Sequence, residues 1–153
     1  MANVPLIVQG DLNVTGNAKI PNRILFSVAS NIPAANNSQQ TYNKVNINIG
    51  SGFSTVTSRF TVPVSGTYYF EWSTIKQVSD SVNVHRQYIR VNGSNALDGR
   101  HLRLSETNNY GEGTCSGIIT LNQNDYVDIY ITNSGVGSHA SYEYTWFHGY
   151  LIG

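Results

Sequence analysis

From Leu6 to Ile20 the chain keeps a period of two. Leu6, Val8, Gly10, Leu12, Val14, Gly16, Ala18 and Ile20 are apolar or glycine, and among the residues between them only Ile7 is not polar. Successive side chains of an extended strand point to opposite faces, so this pattern builds a strand with one apolar face and rejects a helix. Gly10 and Gly16 leave space on that face for a bend or a close backbone approach. A single strip of this kind cannot bury its apolar side unaided. It requires its own head, a sister chain or a partner protein. Pro21-Asn22 ends the pattern and sets a boundary between an arm, residues 1–22, and a head, residues 23–153.

The head continues in shorter extended pieces. Ile24–Ala29, Lys44–Ile49, Ser58–Val62, Thr67–Val78, Val84–Val91, Arg100–Leu104, Gly113–Leu121, Tyr126–Thr132 and Tyr142–Ile152 read as strands. Turn formers separate them: Asn36-Asn37-Ser38, Gly50-Ser51-Gly52, Asn92-Gly93, Asp98-Gly99, Asn122 to Asp125 and Ser134 to Ser138. No stretch carries a helical period. Many short strands at even spacing specify an all-β sandwich or barrel.

The last of these strands has two unlike faces. Phe147, Gly149 and Leu151 share one, and Tyr142, Tyr144, Trp146, His148 and Tyr150 share the other. If the first enters the core, the second presents four large aromatics outward. Each aromatic buries ~150–250 Å² when covered, so the strip rivals the ~300–600 Å² of the largest patch on an ordinary monomer. Tyr126 and Tyr130 repeat the arrangement opposite Val127, Ile129 and Ile131. The pattern predicts an oligomer whose interface uses Tyr126, Tyr130, Tyr142, Tyr144, Trp146 and Tyr150.

Composition excludes several partner classes. With 153 residues, 40 % of them hydrophobic, the chain makes one compact head. Nine basic and nine acidic residues give a net charge of zero, which lacks the basic footprint of a nucleic-acid binder. No apolar run approaches the roughly 20 residues of a membrane span, and the start carries no secretion signal. One cysteine excludes an intrachain disulfide framework and a cysteine-rich zinc site.

Eight residues at fixed spacing carry a family resemblance: Tyr42, Asn48, Phe53, Phe60, Gly66, Tyr68, Phe70 and Trp72. Leu121-Asn122-Gln123-Asn124-Asp125-Tyr126-Val127, with Asn124 where glycine is usual, and the closing Phe147-His148-Gly149-Tyr150-Leu151 extend it. Over residues 24–153 the chain resembles the C1q-like domain of the tumour-necrosis-factor jelly-roll superfamily, with Tyr42 standing where phenylalanine is usual. The resemblance implies a ten-stranded jelly roll that forms a compact homotrimer. It supplies no chemistry, since members bind very different things. The segment Val8 to Asn17 is similar to the Gly-x-Leu-x-Val-x-Gly segments of bacteriophage structural proteins.

The remaining constellations read as structure. Gly113-Thr114-Cys115-Ser116-Gly117 has the spacing of a nucleophile elbow, but that motif needs a strand, a strained turn and a helix. Here a strand continues, and Cys115 shares the face of Ile119 and Leu121 as a small buried hydrophobe. His85, His101, His139 and His148 lack metal-ligand spacing. Asp80, Asp98, Asp125 and Asp128 form no calcium loop. Arg86, Arg90, Arg100, His101 and Arg103 make a modest basic cluster, read as a solvated face. The expectation is therefore a protein that is not an enzyme and holds no cofactor or metal.

These features lead to a trimeric capsid decoration (cement) protein, made in the host cytoplasm and placed on the virion exterior. Its partners would be two further copies of itself and the major capsid protein lattice. Leu6, Val8, Leu12 and Val14 of the arm would bury apolar surface against capsid subunits. The alternatives are a tail-fibre-tip knob that recognises a host surface glycan, and a bacterial C1q-like lectin or adhesin.

Overall fold

A computed structural model describes residues 23–35, 37–77, 86–100, 110–132 and 141–153. The arm, with Leu6, Val8, Leu12 and Val14, lies outside the described residues, as do Asp80, His85, His101, Arg103 and His139.

Eleven strands occur among the described residues, and no helix. They are β1 (Leu25–Ala29), β2 (Ser38–Gln39), β3 (Lys44–Ile49), β4 (Phe53–Ser54), β5 (Arg59–Thr61), β6 (Gly66–Gln77), β7 (Arg86–Val91), β8 (Ser94–Arg100), β9 (Tyr110–Leu121), β10 (Tyr126–Thr132) and β11 (Trp146–Leu151). One antiparallel sheet has the order β3-β1-β11-β6-β9. The second has the order β4-β5-β10-β7-β8, with β2 also paired to β10. The all-β expectation holds, in the form of a two-sheet sandwich.

Alternation selects the inner faces. Phe26 and Val28 of β1, Tyr68, Phe70 and Trp72 of β6, Ile89 of β7, Val127 and Ile129 of β10 and Phe147 of β11 are all buried in one cluster. Phe26 is its hub: its ring stacks on Phe60 at 4.7 Å and Phe53 at 5.3 Å and meets Phe147 edge-on at 4.9 Å. Such aromatic pairs add about 0.5–1.5 kcal/mol each beyond their burial. Asn48 fixes the entry to β4, because its side-chain amide donates to the Phe53 carbonyl at 2.9 Å and accepts from the Phe53 amide at 3.1 Å. Burial holds the Tyr42 phenol well above its ordinary pKa.

The turns follow their residues. Asn92 and Gly93, both with positive φ (51° and 81°), close the two-residue β7–β8 hairpin. Asn124 has φ 73°, the left-handed region that favours glycine and admits asparagine, which explains why it can replace glycine there.

Two sequence expectations change. Asp98-Gly99 is not a turn but lies inside β8. A β-carbon on Gly99 would stand 2.6 Å from the Trp72 ring and 2.7 Å from the Cys115 Cβ, so this glycine makes room for the core tryptophan. The strand expected over Arg100–Leu104 lies, beyond Arg100, outside the described residues, and β8 occupies Ser94–Arg100. The last strand begins at Trp146, not Tyr142. Residues 142–144 form a turn, with the Tyr144 and Thr145 amides both donating to the Ser141 carbonyl, at 3.2 and 3.1 Å.

Candidate functional site

The outer face of the five-stranded sheet is the feature that the fold leaves unfinished. Because paired residues of an antiparallel ladder share a face, the registers line up Ile49, Leu25, Tyr150, Tyr69 and Ile118 in one row across all five strands. Five strands at ~4.8 Å spacing make this row roughly 19 Å wide. Ile49 and Tyr150 are each 46 % exposed and Ile118 63 %, while Leu25 and Tyr69 are half-buried. The Tyr69 and Tyr150 rings lie 5.3 Å apart.

A second, polar row runs beside the first: Ile47, Ser27, His148, Glu71 and Ser116. His148 Nε2 stands 3.3 Å from Glu71 Oε2, and each side chain is about a third exposed (34 % and 33 %). Trp146 stacks on the imidazole at 4.5 Å with rings 2° from parallel. The Tyr69 hydroxyl donates to Glu71 Oε2 at 3.0 Å. Its Ser116 bond lowers the Tyr69 pKa, but burial and the Glu71 carboxylate raise it further, so the phenol ends above its ordinary value. Between two aromatic walls, then, sits one carboxylate with an imidazole as its partner.

The six aromatics expected at an interface do not form one strip. Trp146 and Tyr150 lie on this face. Tyr142 and Tyr144 sit in the preceding turn, exposed, with Tyr142 accepting a hydrogen bond from Asn43 at 3.3 Å and lying beneath the Lys44 ammonium. Tyr126 and Tyr130 belong to β10 and hence to the other sheet. There they are covered from within the chain: the Arg59 guanidinium lies 4.1 Å over Tyr126 and that of Arg90 4.0 Å over Tyr130. Parity missed Leu25, Tyr69 and Ile118 as members of the row. The alternation of Tyr69 with Tyr68 and Phe70, and of Ile118 with Ile119, was the signal that could have found them.

The other candidates are used structurally. Asp128 is fully buried, with both oxygens on Arg90 (2.7 and 3.0 Å) and Arg59 Nε at 3.4 Å from one of them. Arg90 is therefore not part of a free basic cluster. Arg86 and Arg100 occupy paired positions on β7 and β8. Cys115 is half-buried against the core, its thiol pKa raised by burial and then by Asp98. It stands within the unbroken strand β9, so the strand–turn–helix of a nucleophile elbow is not present. Asp125 accepts from Asn92 Nδ2 and the Asn122 amide, both at 2.8 Å, and these bonds lower its pKa. Among the described residues, no three His, Cys, Asp or Glu side chains are grouped to hold a metal, and no helix is long and apolar enough to cross a membrane.

Comparison with curated protein sequences gives no significant match. Among solved structures, the globular domain of zebrafish complement 1qA is similar with a TM-score of 0.68 and 18 % identity, over 85 % of this chain and 98 % of that one. Murine APRIL is similar with a TM-score of 0.69 and 12 % identity, over 86 % of this chain and all (100 %) of that one. Eiger TNF from S. frugiperda gives 0.71 and 10 %, over 86 % and 93 %. These likenesses establish the jelly-roll fold. The sequence profile of the C1q domain matches residues 25–152. The chain belongs to the C1q-domain family.

Proposed function

We propose that this chain is a non-enzymatic structural protein that assembles as a homotrimer and decorates the exterior of a phage capsid, anchored by its N-terminal arms. The observation that carries the assembly is the exposed row Ile49–Leu25–Tyr150–Tyr69–Ile118. A continuous apolar row on a sheet face is what an obligate contact covers. In a cyclic trimer that face meets a different surface of the next protomer. Trp146 and Tyr150 belong to the contact, Tyr142 and Tyr144 border it, and Tyr126 and Tyr130 stay outside it beneath their arginines.

The virion placement is supported by the period-two arm and its likeness to bacteriophage structural segments. Leu6, Val8, Leu12 and Val14 supply the apolar side of a strand that can add to a capsid subunit's sheet. Three arms on one knob make three weak contacts act together. The knob then clamps neighbouring capsid subunits against internal genome pressure.

Light scattering on the purified chain is expected to give the mass of three chains; a monomer at micromolar concentration overturns the assembly. Immunogold labelling of phage particles is expected to cover the heads. Gold confined to tail tips would replace decoration by a receptor-binding knob.

A further inference from the structure

We infer that the root of the N-terminal arm, residues 16–20, adds to the head of its own chain as a sixth strand of the five-stranded sheet, along the free edge of β3. That edge is bare. Among the described residues β3 pairs only with β1, so the backbone groups that alternate onto its other side have no strand beside them. Edge strands are commonly blunted by charge or proline. β3 carries one charge, Lys44, and no proline. Its apolar side chains are uncovered as well: Val45, Ile47 and Ile49 are 45, 43 and 46 % exposed.

The arm ends beside this edge. Leu25 stands opposite Ile49, so the chain enters the head at the end of β3, and an arm laid along the free edge runs parallel to it. Between Ile20 and Leu25 the chain can reach about 16–18 Å, against the ~10 Å of two strand spacings that it must cross. Pro21-Asn22 supplies turn residues for that crossing. Gly50 keeps the passage clear, since a β-carbon there would stand 3.0 Å from Ile24 Cγ1 and 3.6 Å from the Arg23 carbonyl oxygen. Parity then chooses the register. Ile47 and Ile49 face outward in rows with Ser27 and Leu25. Ala18 and Ile20 beside them extend the apolar row, and Asn17 and Lys19 take the other face. The β1–β3 ladder is irregular between Ser27 and Val28, where Asn46 has no opposite residue. Pairing that starts at Ile49 stops at this bulge, beside Gly16, where glycine permits a bend. Leu6, Val8, Leu12 and Val14 stay free for a capsid subunit.

The test is amide hydrogen exchange, read residue by residue by NMR, on the full chain and on its Ala18→Pro and Leu6→Pro variants. Proline at position 18 removes a ladder donor from the docked root, whereas position 6 lies in the free part. Amides over Ile47–Ile49 that point away from β1 should exchange at least ~10-fold faster in Ala18→Pro than in the unchanged chain. Leu6→Pro should leave them unaltered, and the Phe70 and Ile129 amides of the core should be equally protected in all three, which shows that the head stays folded. Equal rates at the β3 edge in the unchanged chain and Ala18→Pro overturn the docking, whether both are fast, as on a bare edge, or both slow, as under another cover. A sample mixed from labelled and unlabelled chains reads whose arm is involved: arm contacts to Ile47 found only between chains overturn the assignment to the same chain. No capsid enters these measurements, so the decoration proposed above stands or falls separately.

Discussion

The two outer faces of the sandwich begin from the same sequence pattern and end in opposite states. On the six-stranded sheet, Tyr126, Asp128 and Tyr130 point outward from β10, yet each is answered within the chain. Arg59 and Arg90 lie over the two rings, and Asp128 between them is buried with its oxygens on both guanidiniums. On the five-stranded sheet, Tyr69, Glu71, Trp146, His148 and Tyr150 point outward in the same alternation. Their partners are one another and Ser116, and the row from Ile49 to Ile118 stays open. An outward aromatic is therefore not by itself an interface residue. What decides is whether a neighbouring strand carries a long cation able to lie over the ring.

The largest effect is expected at the closed face. Asp128→Ala leaves the Arg90 guanidinium, itself mostly buried, without its carboxylate, and should cost about 3–5 kcal/mol of unfolding free energy in denaturant titration. A cost below about 1 kcal/mol would mean that water replaces the carboxylate there, and the two faces would be alike. At the open face the pattern reverses. Tyr150→Glu should change protomer stability by no more than about 0.5 kcal/mol, while it weakens association by roughly thirtyfold or more, as loss of an interface anchor does. Light scattering and denaturation in parallel read the two quantities separately.

Arg59→Ala sharpens the contrast within the closed face. Its side chain is 37 % exposed and its contact with Asp128 is 3.4 Å, so the loss should stay under about 1 kcal/mol, well short of that from Asp128→Ala. The smallest effect is a difference of pH window. The Asn92 and Asn122 bonds lower the Asp125 pKa, so its contribution is fully present above the ordinary carboxylate range near pH 4 and is lost as pH falls through the lower folded value. Amide shifts of Asn122 and Tyr126 should hold steady down to about pH 4 and move only below it. Movement already between pH 8 and 5.5 would mean that the Asn92 and Asn122 bonds do not hold this carboxylate down.

Most of the fold was legible because it rests on alternation and turn chemistry, both local. Tyr68, Phe70 and Trp72 alternate into the core as their spacing demands, and Asn92-Gly93 closes the hairpin that such a pair closes elsewhere. Legibility failed where a residue answered to a distant one. Gly99 looks like a turn glycine until Trp72, far away in the chain, is seen to fill the space where its β-carbon would stand. Tyr142 and Tyr144 have the parity of the last strand, but the Ser141 carbonyl turns the chain there before pairing with β6 begins at Trp146. The candidate face was half legible: Trp146 and Tyr150 could be read from one strand, and Tyr69 and Ile118 could join them only once the strand order was known.

The sequence by itself determined the strand class, the apolar core set, turns such as Asn92-Gly93 and Asn122 to Asp125, and the family, because each follows from period, spacing or backbone preference within a few residues. The tertiary structure decided which strands are neighbours. That choice buried Asp128 between two arginines, separated Tyr126 and Tyr130 from Tyr150 by the thickness of the sandwich, and set His148 beside Glu71 in an open apolar face. Side-chain partnerships across strands depend on register, and register is fixed by the packing of the whole sandwich rather than by any one segment of the chain.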